Sequence, residues 1–153
     1  MNKVFHYYLL ITVLLFMSCN NSKNNSHIKT QSTPAVPLSG TCWKLIELME
    51  QPIPASSDSN REAHIKFDAD VKTVSGNGGC NTFRAEYQAP DPSHLTFGPA
   101  ISTKMYCDEA KYESLFFDVL SKTANYSING DTLILTNAAS DSSAKLVRTR
   151  YIN

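Results

Sequence analysis

Four cysteines, Cys19, Cys42, Cys80 and Cys107, are the side chains in this sequence with the widest chemical reach, and none sits in a Cys-x-x-Cys motif. Cys107 falls just before a helical pattern. There the positive end of the helix dipole would lower its pKa and make the thiol a nucleophile, while the plainer reading is a packed, inert thiol. Of four histidines, His6 and His27 lie far toward the N-terminus, and His64 and His94 have no metal-ligand spacing with another His or Cys. They read as exposed strand histidines, and no metal or cofactor is expected. Gly76, Gly78 and Gly79 could suggest a phosphate-cradling loop. The cluster lacks the Gly-Lys-Ser/Thr ending, however, and a strand pattern follows where a helix should begin. With no Gly-x-Ser-x-Gly elbow and no His-Glu-x-x-His helix, no catalytic residue is assigned.

The elements that must position these groups are mostly strands. Asn77-Gly78 between alternating runs predicts a hairpin with a two-residue turn, Gly79 extending the permissive backbone toward a bulge. Val71 to Ser75 forms its first strand. In the second, Asn81, Phe83, Ala85 and Tyr87 share the core face, which turns Cys80 outward unless the glycines bulge the strand. A buried Asn81 amide needs partners, and the turn's own backbone groups are the nearest. Gly40 to Leu48 opens the domain as a strand and a Pro- and Ser-rich loop follows through Asn60. Glu62 to Asp68 places Ala63, Ile65 and Phe67 inward. His94 to Gly98 is a further short strand. From Asp108 to Ala124 the period becomes helical, with Tyr112, Leu115, Phe116, Val119 and Leu120 on one stripe and Phe117 off it. Asp108 and Glu109 suit the positive end of that helix, and Lys122 its other end. Asn129-Gly130-Asp131 centres a second hairpin and Ala144 to Thr149 closes the chain. The predicted class is α+β, a curled antiparallel sheet or small β-barrel with one amphipathic helix.

Residues 1–18 carry Lys3, then an apolar run to Met17, then Ser18-Cys19. The run is shorter than a spanning helix requires, and a small residue precedes the cysteine. The pattern resembles a bacterial lipoprotein signal, so Cys19 is the expected acylated first residue of the mature protein, despite Phe16 where Leu is usual. Two acyl signals make a stable anchor. Residues 19–39, rich in Asn, Ser, Lys, Thr and Pro, read as a disordered tether, and 40–153 as the domain. That domain of roughly 110 residues is large enough to support a single core. The formal net charge of zero argues against a general nucleic-acid or polyanion binder.

Trp43-Lys44-Leu45, Gly76-Asn77-Gly78-Gly79-Cys80-Asn81-Thr82-Phe83 with Tyr87 beyond, Thr103-Lys104-Met105-Tyr106-Cys107, the helix, and Leu133-Ile134-Leu135 occur in that order. From about Gly40 to Arg150 the chain resembles the META domain, or heat-shock protein HslJ, family. The resemblance implies a single-domain α+β envelope protein, often a lipoprotein, linked to stress, drug resistance or virulence without an established enzymatic activity. Its fold is also similar to that of lipoprotein pilotins of secretion systems, one of which binds lipid. Trp43, Gly76, Gly79, Cys80, Asn81, Tyr87, Thr103 and Cys107 match the family's motifs. Cys80 and Cys107 are its characteristic pair, either bridged or simply packed, and a bridge would be worth roughly 3–4 kcal/mol in the chain-entropy model. Cys42 remains as a buried strand thiol.

Three classes of function follow. The favoured one is a binding or assembly module, monomeric and without turnover, held to the membrane through acyl chains on Cys19. It would face the periplasm or surface from the outer membrane and take an envelope protein, peptide or lipid on a concave surface lined by Tyr87, Tyr106 and Phe117. The alternatives are a thiol-redox protein using Cys80 and Cys107, and a purely structural lipoprotein.

Overall fold

A computed structural model describes residues 36–56, 58, 61–108 and 111–150. The signal segment, Cys19, the tether as far as residue 35, and Glu109 lie outside the described residues.

Ten strands pair in one antiparallel sheet: β1 (Cys42–Leu48), β2 (Gln51–Pro52), β3 (His64–Asp68), β4 (Thr73–Asn77), β5 (Thr82–Gln88), β6 (Thr96–Phe97), β7 (Ile101–Ser102), β8 (Asn125–Asn129), β9 (Thr132–Thr136) and β10 (Ser142–Thr149). The order across the sheet is β6-β5-β4-β3-β1-β10-β9-β8, with β2 on β1 and β7 on β5. The two ends approach at a single bridge, His94 to Asn125, flanked by Leu95 N–H to Ala124 C=O and Tyr126 N–H to Ser93 C=O. The sheet is therefore curled and not closed into a barrel. Among the described residues one α-helix, α1 (Glu113–Lys122), covers its inner side.

Alternation decides which side chains face inward. β5 runs exposed, buried, exposed along its whole length, with Phe83, Ala85 and Tyr87 inside. Ile65, Phe67, Val74, Leu133, Leu135 and Leu146 join them around Trp43, whose indole N–H donates to Leu38 C=O at 3.2 Å. A buried indole needs such an acceptor. The packed chain thus begins before Gly40: Leu38 is buried, and Thr41 Oγ1 donates to Pro37 C=O at 2.7 Å. Residues 36–39, expected in the tether, belong to the domain because the Trp43 indole and the core recruit them.

Several boundaries differ from expectation. Val71 lies exposed in a turn in which Lys72 adopts φ 51°, so the strand before the glycines starts at Thr73. α1 starts at Glu113 and not at Asp108. Phe116, Val119 and Leu120 are its buried residues, Tyr112 is half-buried at its start, and Leu115 is 42% exposed. Leu115 lies about 100° round the helix from Phe116, beyond the edge set by Val119, which leaves it outside the buried stripe. The helix ends where Thr123 turns extended, its hydroxyl donating to Val119 C=O at 2.9 Å. Gly130, with φ 58°, and Asp131 form the two-residue turn between β8 and β9.

Candidate functional site

Asn77 pairs with Thr82, so the chain reverses through four residues, Gly78 to Asn81, and not through a two-residue Asn-Gly turn. Asn77 stays in β4, and its Oδ1 accepts the Gly79 N–H at 2.6 Å; Gly78 N–H donates to Asn81 C=O at 2.8 Å. The reason for the wider loop is what rests on it. A Cβ at Gly78 would lie 2.8 Å from Glu113 Cγ and 2.9 Å from Phe117 Cζ. One at Gly79, where φ is +118°, would lie 2.8 Å from the Tyr112 hydroxyl. The bare backbone is the seat on which α1 begins. Phe117, off the predicted stripe, packs edge-on against Phe83 with ring centroids 5.3 Å apart.

Glu113 ties loop to helix. Its Oε2 accepts the Cys80 N–H at 2.9 Å and the Asn81 N–H at 2.6 Å, and its Oε1 accepts Asn81 Nδ2 at 2.6 Å. A carboxylate in the first helical turn also meets the positive end of the helix dipole. Asn81, buried as expected, does not turn to its own loop for side-chain partners. Its Nδ2 also donates to Met105 C=O at 3.2 Å, and its Oδ1 accepts Thr103 Oγ1 at 2.8 Å and Met105 N–H at 2.7 Å. Both Cys80 and Asn81 are buried, so the loop bends Cys80 out of strict alternation. Cys80 is disulfide-bonded to Cys107, with Cα atoms 5.9 Å apart. The Cys80 sulfur lies 3.6 Å from Met105 C=O, a contact only, since an oxidised sulfur has no proton to donate.

These bonds fix one exposed stretch. Ile101 pairs with Arg84 and Ser102 with Phe83; Thr103 N–H donates to Thr82 C=O at 3.1 Å. Met105 is gripped at both backbone atoms by Asn81, and Cys107 is bonded to the loop. On this pinned backbone Ile101 is 80% exposed, Met105 58% and Tyr106 88%. The Tyr106 hydroxyl donates to Asp108 Oδ1 at 2.6 Å, which pushes the phenol above its usual range and keeps it neutral. Large apolar groups held rigidly in water suit recognition, because little entropy is left to lose on binding.

The other candidates lie elsewhere. Trp43 and Tyr87 are core residues. The Tyr87 ring meets Phe67 edge-on at 5.1 Å, and its hydroxyl donates to Asp68 C=O at 3.2 Å. Tyr87 therefore lines no open surface with Tyr106 and Phe117, because β5 alternation turns it inward. Phe117 instead lines a cleft of about 370 Å³ with Phe97, Pro99, Ala100 and Leu120. A Cβ at Gly76 would lie 2.0 Å from His64 C=O, which requires glycine there. Cys42 is half-buried and not fully so; burial, partly opposed by Lys66, pushes its thiol up. His64 is half-buried where an exposed ring was expected, its Nδ1 2.8 Å from Glu62 C=O. A second cleft, of about 580 Å³, is lined by Cys42, His64, Lys66, Arg148 and Arg150.

Asp91, Ser93 and His94 form a cluster that sequence reasoning did not single out. His94 Nδ1 lies 2.7 Å from Asp91 Oδ2 and 3.3 Å from Ser93 Oγ, while Ser93 Oγ donates to Asp91 Oδ1 at 2.8 Å. Donation from the Ser93 backbone, then its hydroxyl and His94, holds the Asp91 carboxyl well below its usual range. Acid and hydroxyl share one imidazole nitrogen, and the hydroxyl proton goes to the acid. No base is aimed at the serine, so this is a turn and not a triad. Glu113 likewise accepts three hydrogen bonds from the loop, so its carboxylate is engaged in holding Cys80 and Asn81 in place. Among the described residues no group of three or more His, Cys, Asp or Glu could hold a metal ion.

Glu113 is the site residue that sequence reasoning missed. Its only signal was an acid bordering the apolar stripe, three residues before Phe116 and seven before Leu120, assigned there to no partner.

A family model described as the META domain matches residues 36–150. A comparison with curated proteins finds no match. Among solved structures, the fold is similar to an NMR structure of a protein from Burkholderia xenovorans. That likeness has a TM-score of 0.59 at 18% identity, covering 74% of this chain and 85% of that one. It is also similar to a DUF4847 family protein from Bacteroides vulgatus, with a TM-score of 0.52 at 15% identity, covering 75% of this chain and 96% of that one. At such identities these likenesses show the fold alone.

Proposed function

The chain belongs to the META domain family, and on that premise we propose that it is an acyl-anchored envelope protein whose Ile101–Tyr106 stretch is a preformed recognition surface for another envelope protein. The supporting observation is the pairing of 80% exposure at Ile101 and 88% at Tyr106 with a backbone locked by Asn81, Glu113 and the disulfide. Exposed apolar residues on a flexible loop would lose entropy on binding; here that cost is already met in folding. Met and Tyr are enriched in protein interfaces. Met105 and Tyr106 can bury area against a partner without moving the backbone. The reading involves no turnover, and a role in stress or drug resistance would follow from the identity of the partner.

The test is site-specific photocrosslinking in the native envelope. Probes at Met105 and Tyr106 should give one discrete adduct that a probe at Glu86, on the outer face of β5, does not. Met105→Glu should abolish the adduct formed from Tyr106 while the protein keeps its melting temperature. The same adducts from all three positions, or persistence of the Tyr106 adduct in Met105→Glu, would refute the surface.

Thiol exchange through Cys80 and Cys107 is the weaker reading. Cys80 is only 4% exposed and its loop is covered by Tyr112 and Glu113.

A further inference from the structure

We infer that the cleft bounded by Cys42, Lys66, Arg148 and Arg150 is the membrane-facing side of the domain, taking the phosphate headgroups of anionic lipids in the leaflet that holds Cys19. This rests on the acyl-anchor reading above and adds to it an orientation.

Charge is the first support. The cleft holds about 580 Å³ and its lining includes Lys66, Arg148 and Arg150 but no carboxylate. Arg148 reaches out of the cleft to Asp131 at 2.8 Å, whereas Lys66 and Arg150 have no carboxylate partner among the described residues. Cys42 and His64 add no negative charge: burial pushes the thiol up and the imidazole down, so both stay neutral at pH 7. The cationic strip runs on along the outer face, because Cys42 pairs with Lys66, Lys66 with Ser75, and Ser75 with Arg84. A chain with zero formal net charge thus carries a cleft whose charged lining is all cationic, while the next row of the same sheet face, Asp68-Thr73-Glu86, is acidic.

Position is the second support. Val36 and Pro37 line the same cleft, so the segment arriving from Cys19 enters the domain at its rim. It is pinned there by Leu38 under Trp43 and by Gly40 N–H to Phe67 C=O at 3.0 Å. The stretch from Asn20 to Ala35 can reach at most roughly 55 Å. An anchor at Cys19 therefore holds this rim, where the chain enters the domain, within that distance of the headgroups. The row that starts at Cys42 ends, through Arg84, at Ile101, across β3, β4 and β5. With strands about 4.8 Å apart, the recognition stretch begins roughly 10 Å along the sheet from Ser75 at the near edge of the cleft and roughly 20 Å from Cys42.

The experiment uses the full mature chain, with the acyl state of Cys19 read by mass spectrometry, on nanodiscs of phosphatidylcholine alone or with about one-third phosphatidylglycerol. Both contain a headgroup spin label, and paramagnetic broadening of amide signals is the readout. On anionic discs the Lys66 and Thr149 amides should broaden far more than those of Met105 and Tyr106. The contrast should vanish on neutral discs, in high salt and in Lys66→Glu/Arg150→Glu. Each basic side chain at an anionic surface is worth roughly fivefold, so the double variant should lower the docked-to-undocked ratio by at least about tenfold. Uniform broadening, broadening greatest at Tyr106, or indifference to the double variant would overturn the inference. So would saturable shifts at Lys66 and Thr149 with inorganic phosphate but no selective broadening on anionic discs, which would assign a soluble anion. An unacylated Cys19 with selective broadening would sink the anchor and keep the face; an acylated Cys19 with uniform broadening would do the reverse.

Discussion

Replacing Glu113 with Ala should destabilise the domain by about 3–4 kcal/mol. The substitution removes three hydrogen bonds to a charged acceptor, each worth roughly 1.5–3 kcal/mol where it is well formed. It also strands the Cys80 and Asn81 N–H groups in a buried loop, while Asn81 Nδ2 keeps Met105 C=O. Water entering the vacated space would satisfy part of this deficit, which sets the figure below the simple sum. Loss of an acid from the first helical turn adds roughly 0.3–1 kcal/mol. For a domain of this size the melting temperature should fall by roughly 12–25 °C. Glu113→Gln should fall between, losing about 1–2 kcal/mol, because its amide must set an NH₂ against at least one of the same donors. Asn81→Ala breaks the same network, so the double variant should lose at least about 1 kcal/mol less than the two single losses together. Urea unfolding followed by circular dichroism, with the disulfide kept oxidised, measures all four variants against the unaltered protein. A Glu113→Ala loss under about 0.5 kcal/mol, or additivity of the pair, would refute the reasoning.

Replacing both Cys80 and Cys107 with Ala opens a loop spanning a sequence separation of 27 and should cost roughly 3–4 kcal/mol in the same unfolding assay. Gly76→Ala must displace the His64 carbonyl, 2.0 Å from the new Cβ, and should cost about 3 kcal/mol or more, or prevent soluble expression. Burial, outweighing the Glu62 carbonyl and carboxylate, depresses the His64 imidazole. As pH falls through about 6.5 the unfolded chain takes up that proton first, so the His64 contribution is intact above this value and is lost toward the lower folded one. Stability should therefore drop from pH 7.5 to 5.5, and His64→Gln should flatten that slope. Met105→Ala and Tyr106→Ala should each leave stability within about 0.5 kcal/mol while weakening the proposed partner complex, since both side chains are mostly in water.

Much of the fold was legible because β-alternation is a local property. Phe83, Ala85 and Tyr87 share a face in any chain that keeps β5 extended, and Ala63, Ile65 and Phe67 do so before it. The two hairpins separate two cases. Gly130-Asp131 turns in two residues because nothing packs on Gly130, around which the space is open. Asn77-Gly78 carries the same local signal, but Tyr112, Glu113 and the disulfide hold the chain open to four residues. Helix periodicity overran for a different reason: the side-chain spacing continues through Tyr112, which packs on Gly79, but the backbone becomes helical only at Glu113, and Leu115 lies at the edge of the stripe, 42% exposed. Glu113 meets Asn81 only after the sheet has curled, and Lys66, Arg148 and Arg150 meet only through strand register. Net charge sums over the surface and hides that asymmetry.

The stretch before α1 is central to the proposed role, since it is at once the most exposed apolar part of the described chain and one of the most tightly bonded. Backbone ¹⁵N relaxation tests that combination directly. The account predicts order parameters of about 0.8 or higher at Thr103, Met105 and Tyr106, falling below about 0.6 in Asn81→Ala. Values below about 0.6 in the unaltered, oxidised protein would contradict it, because a mobile Ile101–Tyr106 stretch could not be a preformed surface.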